Sequence, residues 1–161
     1  MRYTTLLTAF LLCSLTGQAQ QQAPRIGCKD ATLLVQSTEQ KESLLKQGFE
    51  VLNDAMLSMD SREEFPIVVR MQAGVYYQIV FLGNTRSKHM DLDLFDTEKK
   101  AILHKDQQPL NQTSNVISFS FTPANSGDYT FMLSQSMKQE MFKTRQGVCG
   151  SFTIFRLKQV K

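Results

Sequence analysis

The sequence of 161 residues contains no tryptophan and only two histidines, His89 and His104. Carbohydrate-binding surfaces depend on exposed aromatic rings, so the absence of tryptophan argues against a sugar-binding role. Zinc needs several convergent nitrogen, sulfur or carboxylate ligands, and neither histidine stands in a motif that supplies them. We therefore expect no metal centre built on histidine.

Sequence motifs for catalysis are also missing. The pattern Gly-x-Ser-x-Gly, which marks a serine nucleophile on a sharp turn, does not occur. There is no glycine-rich loop of the kind that cradles phosphate groups. We therefore assign no catalytic residue and no cofactor, and we expect a protein that is not an enzyme.

Neither a strong net charge nor a long apolar run marks the chain beyond its first 20 residues. Charged residues make up 20% of the sequence and the formal net charge is +3, which gives little electrostatic drive toward nucleic acid. A membrane helix needs about 20 apolar residues in succession, and no such segment follows the N-terminal region. Hydrophobic residues make up 42%, which is typical of a globular domain.

The N-terminus has the order of a secretory signal peptide. Arg2 precedes an apolar run from Leu6 to Leu15, and Gly17 and Ala19 then form a small-x-small cleavage pattern. The predicted organisation is a signal peptide over 1–19, a loose segment over 20–27 and a single domain over 28–161.

Two alternatives exist for this N-terminal segment. A buried N-terminal helix would need a polar face, which the run lacks. A lipoprotein signal would need a small residue before Cys13, but Leu11 and Leu12 precede it. We therefore expect an exported protein with no membrane span, located in the periplasm, at the cell surface or in the medium.

Cys28 and Cys149 are the two cysteines that remain after the predicted cleavage. An even pair in an exported chain is typical of a disulfide. A catalytic redox pair is the alternative, but such cysteines usually stand close together as Cys-x-x-Cys. The predicted disulfide joins the start of the domain to its last strand.

Hydrophobic periodicity predicts one helix followed by many short strands. Asp30 is placed to cap a helix over about 30–47, and Gly48 ends it. Residues 49–59 fit both an alternating strand and a continuing helix, and the interruption at Gly48 favours the strand. Further strands are predicted over 65–72, 75–83, 89–96, 100–105, 116–122, 128–134 and 148–157. This order predicts a mainly β fold, an antiparallel β-sandwich or jelly roll of seven or eight strands with one N-terminal helix.

A motif in the β part resembles a known family. The stretch Phe119-x-Phe121-x-Pro123-x-x-Ser126-Gly127-x-Tyr129-x-Phe131 follows Leu92-x-Leu94-Phe95-Asp96 in the chain. Together these residues resemble the bacterial pre-peptidase C-terminal domain and, more broadly, GOLD-like β-sandwiches. The resemblance covers residues 65–135 and implies a small sandwich that serves as an accessory or interaction module of exported proteins. It implies no site residues.

An acidic stretch, Asp91, Asp93, Asp96 and Glu98, is the candidate ligand site. Calcium takes several oxygen ligands, so these carboxylates define a possible calcium site. Asp91 and Asp93 alternate with leucines, however, which also predicts a solvated strand face.

Four aromatic residues in the β body, Tyr76, Tyr77, Phe81 and Phe95, are interpreted as core packing rather than as a recognition face. The sequence thus predicts a non-catalytic interaction module that binds another envelope protein or an extracellular polymer. A calcium- or small-ligand-binding accessory domain is the second hypothesis, and an enzyme of unrecognised type is the third.

Overall fold

A computed structural model describes residues 28–109, 114–137 and 147–158. The predicted signal peptide over 1–19 and the loose segment over 20–27 lie outside these ranges.

The N-terminal helix forms where the capping residue predicts it. Helix α1 runs from Ala31 to Lys46, and the carboxylate of Asp30 accepts a hydrogen bond from the backbone N–H of Leu33 at 3.1 Å. That bond satisfies one of the N–H groups that have no partner in the first turn. Gly48 follows with a φ of 90°, which ends the helix in a conformation that glycine adopts at low cost.

Within the described residues, eight strands follow the helix and form two antiparallel sheets. Sheet A has the strand order β1-β8-β3-β6, and sheet B has the order β2-β7-β4-β5. The predicted β-sandwich with one N-terminal helix is confirmed. The strands are β1 Phe49–Met59, β2 Phe65–Met71, β3 Tyr77–Leu82, β4 Ser87–Phe95, β5 Ala101–Gln107, β6 Val116–Phe121, β7 Gly127–Met137 and β8 Val148–Leu157.

The ambiguous segment over 49–59 is the strand β1. It pairs with β8 along its whole length, from Phe49 opposite Leu157 to Met59 opposite Val148, with a bulge between Val51 and Asn53. The strand therefore takes its conformation from this long-range pairing, which local periodicity does not report.

The main core fills the space between the two sheets. Alternate residues of β4 point inward, so Met90, Leu92 and Leu94 are fully buried while the intervening positions face outward. Tyr129 and Phe131 of β7 are buried in the same core. Strand β3 lies between β8 and β6, in agreement with its largely apolar sequence on both faces.

The turn that carries the family-like motif is fixed to the neighbouring β2–β3 turn. The hydroxyl of Ser126 accepts from the N–H of Ala73 at 2.8 Å, and the carbonyl of Pro123 accepts from the N–H of Gly74 at 2.9 Å. The hydroxyl of Tyr129 donates to the carbonyl of Asn125 at 2.9 Å. The motif residues therefore serve to hold this turn.

Helix α1 packs on the outer face of sheet A. Its buried Leu33 belongs to a second, smaller apolar cluster with Phe49, Val80, Leu82 and Phe155. The hydroxyls of the helix residue Ser37 and of Ser151 in β8 share a buried hydrogen bond of 3.0 Å.

A disulfide joins Cys28, just before the helix, to Cys149 in β8, with the Cα atoms 5.6 Å apart. The pairing predicted from the sequence is thus present in the structure. It fixes the start of the helix to sheet A.

Candidate functional site

The outer face of sheet B is the candidate site, and we call it the open face. Helix α1 packs on β1, β8 and β3, which all belong to sheet A. Among the described residues, α1 is the one helix, so no described helix covers sheet B. The open face therefore presents the outward side chains of four strands to solvent.

One half of the open face is apolar. Val68 of β2 is 60% exposed and Ile102 of β5 is 41% exposed. Across Thr130 of β7 from Val68 lies the half-buried Phe95 of β4, and the half-buried Met132 of β7 lies in the next cross-strand row, between Pro66 and Asp93. Alternation places the two exposed and the two half-buried apolar side chains on the outer face, since their strand neighbours belong to the core.

The other half of the open face is acidic. Asp91 and Asp93 point outward from β4, and Asp106 points outward from β5. The hydroxyl of Ser134 on β7 donates to Asp91 Oδ2 at 3.0 Å, which orients that carboxylate. The acidic groups are thus held on strands in the centre and at the edge of the sheet.

Two of these carboxylates oppose each other directly. Asp91 and Asp106 are cross-strand partners in the β4–β5 pairing. Side chains at such positions have Cβ atoms about 5 Å apart, and like charges there are destabilising. Among the described residues, the ion pairs are Lys41 with Asp54, Arg156 with Glu50, and His104 with Asp93, so neither Asp91 nor Asp106 is neutralised by a described lysine or arginine.

His104 of β5 is paired with a carboxylate of the open face. Its Nδ1 lies 2.7 Å from Asp93 Oδ1, directly across from that residue in the strand pairing. The hydrogen bond to Asp93 raises the pKa of His104 above 6.5, and the negative charges of Asp93, Asp91 and Asp106 add to this effect. Partial desolvation opposes the shift without cancelling it.

The four residues of the predicted calcium site do not lie together in the fold. Asp91 and Asp93 lie on the open face, whereas Asp96 stands in the β4–β5 turn. There Asp96 Oδ1 accepts from the backbone N–H groups of Glu98 and Lys100, both at 2.9 Å. Within the described residues, no group of three or more histidines, cysteines or carboxylates is arranged to hold a metal. Calcium binding at this stretch stays a prediction.

The core interpretation of the four aromatic residues holds for two of them. Tyr77 and Phe81 are fully buried between the sheets. Tyr76 is 42% exposed, because it lies just before β3 on the outer side, where its hydroxyl donates to Ser120 at 2.6 Å. Phe95 is half-buried on the open face, since it follows Leu94 and therefore points the other way.

A shallow cleft of about 370 Å³ opens at one end of the sandwich. It is lined by Glu50, Gln72, Arg156 and Lys158, and the guanidinium of Arg156 donates to Glu50 at 2.8 Å. Neither histidine lines it. The acid–base pair that an enzyme hypothesis would need is therefore not found in this cleft.

Sequence reasoning found Asp91 and Asp93 but missed Val68, Met132 and Asp106 as members of the same surface. The alternation of side chains along β2 and β7 could have indicated that Val68 and Met132 face outward. The pairing of β4 with β5, which brings Asp106 opposite Asp91, is visible only in the fold.

Comparison with known proteins gives distant structural matches alone. No family model matches the chain, and no curated protein matches it. PliG of Aeromonas hydrophila, a periplasmic inhibitor of g-type lysozyme, is 13% identical with a TM-score of 0.46, over 68% of this chain and 89% of that one. A CBM4 structure is 10% identical with a TM-score of 0.41, over 69% of this chain and 79% of that one.

The arabinose-bound MgGH51 α-L-arabinofuranosidase is 8% identical with a TM-score of 0.33, over 71% of this chain but only 24% of that enzyme. Because every one of these TM-scores lies below 0.5, no function is inferred from them. Among the helices of the described residues, none has the length and apolar character required to cross a bilayer.

Proposed function

We propose that this chain is a non-catalytic, exported binding module that binds another protein of the cell envelope through the open face. The observation that carries the proposal is the exposure of Val68 and Ile102 on a sheet that no described helix covers. Large apolar groups that share a rigid face with polar groups are typical of protein interaction sites.

The arrangement of the open face supports a protein partner. Its apolar half can exclude water from a contact, while the carboxylates of its acidic half can give the contact its orientation. The strands hold these side chains in place before a partner arrives, which lowers the entropy lost on binding. Export and the envelope location follow from the predicted signal peptide, and the disulfide between Cys28 and Cys149 agrees with an oxidising compartment.

The test is crosslinking and mass spectrometry of the tagged chain in its native envelope, comparing two double variants. Val68→Gln with Ile102→Gln removes the apolar groups of the open face. Leu34→Gln with Val35→Gln is the matched control, because these helix residues are 55% and 57% exposed on the other side of the domain. The open-face variant should lower recovery of the partner by at least about tenfold, as expected when two apolar contacts of an interface are removed, and the helix variant should retain it.

Equal recovery of the same partner by both double variants would refute a role of the open face. If only the helix variant lost the partner, the interaction would instead lie on α1. In either case circular dichroism must first show that both variants keep the fold.

A further inference from the structure

We infer that the free edge of strand β1 pairs with the same edge of a second copy of this chain, which makes a twofold dimer with one continuous sheet. The inference goes beyond the proposed function, because it concerns sheet A and not the open face. It starts from the edges of the two sheets, where strands have a neighbour on one side only.

Strand β1 is the edge strand with the least protection against pairing. Within the described residues its one strand neighbour is β8, so its other side presents backbone N–H and C=O groups that no described strand pairs with. It spans 11 residues and contains no proline. Its two charged residues are neutralised locally, since Arg156 donates to Glu50 and Lys41 donates to Asp54. Neither charge therefore opposes the approach of another strand.

The other three edge strands carry features that native proteins use to prevent such pairing. β2 contains Pro66, which has no N–H to donate, and β5 carries Lys105 and Asp106. β6 has only six residues. β1 has one such feature, a bulge that follows Val51, and beyond it the register with β8 is regular over 53–59. The run 53–59 thus has one side open to another strand.

Apolar side chains border this edge on the outer face of sheet A. Leu34, Lys41 and Leu45 share one face of α1, because successive members are seven and four residues apart. Lys41 reaches Asp54 of β1 at 2.6 Å, so this face of the helix turns toward the edge. Leu34, Leu45 and the strand residue Val51 are each at least 40% exposed. A strand added to β1 would therefore cover apolar surface as well as backbone groups.

A second copy supplies a strand that fits the edge. In an antiparallel pair that is symmetric about a twofold axis, one residue lies opposite itself and all contacts are reciprocal. With the axis at Met56, the centre of the regular run, Asp54 of one copy lies opposite Ser58 of the other, and Ala55 lies opposite Leu57. No carboxylate of the run then opposes another carboxylate, which would be destabilising.

The same axis brings the two helices together. Ser37 of α1 shares a hydrogen bond with Ser151 of β8, and Ser151 is the cross-strand partner of Met56, so this part of the helix lies level with the axis. Leu34 is within one helical turn of Ser37, on the side that faces the edge. A twofold dimer therefore sets Leu34 of one copy beside Leu34 of the other and removes both from water. A partner strand without such a helix would leave Leu34 exposed.

Sedimentation velocity of the mature protein over a range of concentrations tests the dimer. The wild type should show an equilibrium between monomer and dimer. Leu34→Arg should raise the dissociation constant at least about tenfold, because the twofold axis brings two like charges together. Val35→Arg is the matched control, since Val35 is similarly exposed but points to another side of the helix, and it should change the constant less than about twofold.

Hydrogen exchange and crosslinking locate the interface. The N–H groups on the free side of β1 become paired in the dimer, so protection of the run 53–59 should rise with protein concentration, whereas that of the edge strand β5 should not. Met56→Cys should give a covalent dimer with a short thiol crosslinker, because cross-strand neighbours have Cβ atoms about 5 Å apart. Val68→Cys, on the open face, is the control and should not.

A monomer at every concentration up to about 1 mM overturns the inference. A dimer that Leu34→Arg and Val35→Arg weaken equally, or one in which β1 gains no protection, overturns it as well. Its failure is distinguishable from failure of the proposed function. Val68→Gln with Ile102→Gln alters the open face alone, so this double variant should sediment as the wild type does, whatever it does to partner capture.

Discussion

At the scale of single residues, the pair of His104 and Asp93 links the open face to pH. Their side chains are 2.7 Å apart, and the hydrogen bond to Asp93 raises the pKa of His104. A group whose pKa is higher in the folded state stabilises that state when it is protonated. Its contribution is therefore complete below the unfolded pKa of about 6.5 and is lost as the pH rises through the raised value.

We expect NMR titration to give His104 a pKa above 6.5 in the wild type and a lower value in Asp93→Asn. The difference in melting temperature between wild type and His104→Gln should shrink as the pH rises from 5 to 9. A difference that grows with pH would contradict the assignment. The control is Lys105→Gln, since this neighbouring residue of β5 pairs with the inward-facing Leu92 rather than with an acidic residue.

Gln135 is a second residue whose role depends on the fold. It is fully buried in β7, where its side-chain oxygen accepts from Asn84 N–H at 2.7 Å and from the Ser87 hydroxyl at 3.0 Å. Its amide nitrogen donates to the carbonyl of Cys149 at 3.2 Å. One side chain of sheet B thereby supplies hydrogen-bond partners both to the β3–β4 connection and to strand β8 of sheet A.

Gln135→Leu should lower the free energy of unfolding by about 2–4 kcal/mol, because it leaves several buried polar groups without partners. Urea denaturation measures this change. The exposed Gln40→Leu on α1 should alter stability by less than about 0.5 kcal/mol. A comparable loss in both variants would show that the buried hydrogen bonds are not the cause.

At the scale of elements, the helix and most strands could be predicted, because each has a local signal. Asp30 caps α1, and the leucines of β4 alternate with aspartates. Strand β1 was ambiguous, since its periodicity fits two structures and the pairing with β8 decides between them. The open face could not be predicted as a unit, because its residues come from β2, β4, β5 and β7, and the strand order that joins them follows from tertiary packing.

The disulfide lies at the N-terminal end of helix α1. Only Leu33 and Ser37 of its residues are buried, so its apolar packing on sheet A is limited. Replacing Cys28 and Cys149 by serine removes a link that spans 121 residues of sequence. In the chain-entropy model the loss of stability is at most about 4–5 kcal/mol.

We expect hydrogen exchange of the Cys28→Ser, Cys149→Ser variant to show the first loss of protection in α1, with the strands of the main core protected longest. Thr38→Ala, at an exposed site on the helix, retains the link and should leave this order unchanged. Uniform loss of protection across helix and strands would mean that the disulfide stabilises the whole sandwich and not α1 in particular.

At the scale of the whole molecule, the fold class could be predicted from the regular alternation of strands and turns. The proposed function depends on the surface of the folded domain, which the sequence alone does not give. Composition correctly indicated a globular domain, but a net charge of +3 conceals an acidic region. The calcium hypothesis arose from four carboxylates that are near in sequence. The fold separates Asp96 from Asp91 and Asp93 and brings Asp106 beside Asp91 instead.

The calcium hypothesis has its own test. Titration calorimetry of the folded protein with calcium should give no heat if the carboxylates act separately, as their arrangement on strand and turn suggests. Binding that is lost in both Asp91→Asn and Asp96→Asn would show that the two places come together around the ion, which would favour the accessory calcium-binding role.

The disulfide also fixes the side of the domain on which Cys28 lies. Cys28 is held against sheet A beside the helix, and the open face lies on the opposite side of the sandwich. Anything attached upstream of Cys28, whether a natural tether or an affinity tag, therefore joins the domain on its helix-covered side. An attachment made directly at Cys28 would thus leave the open face on the side away from the support.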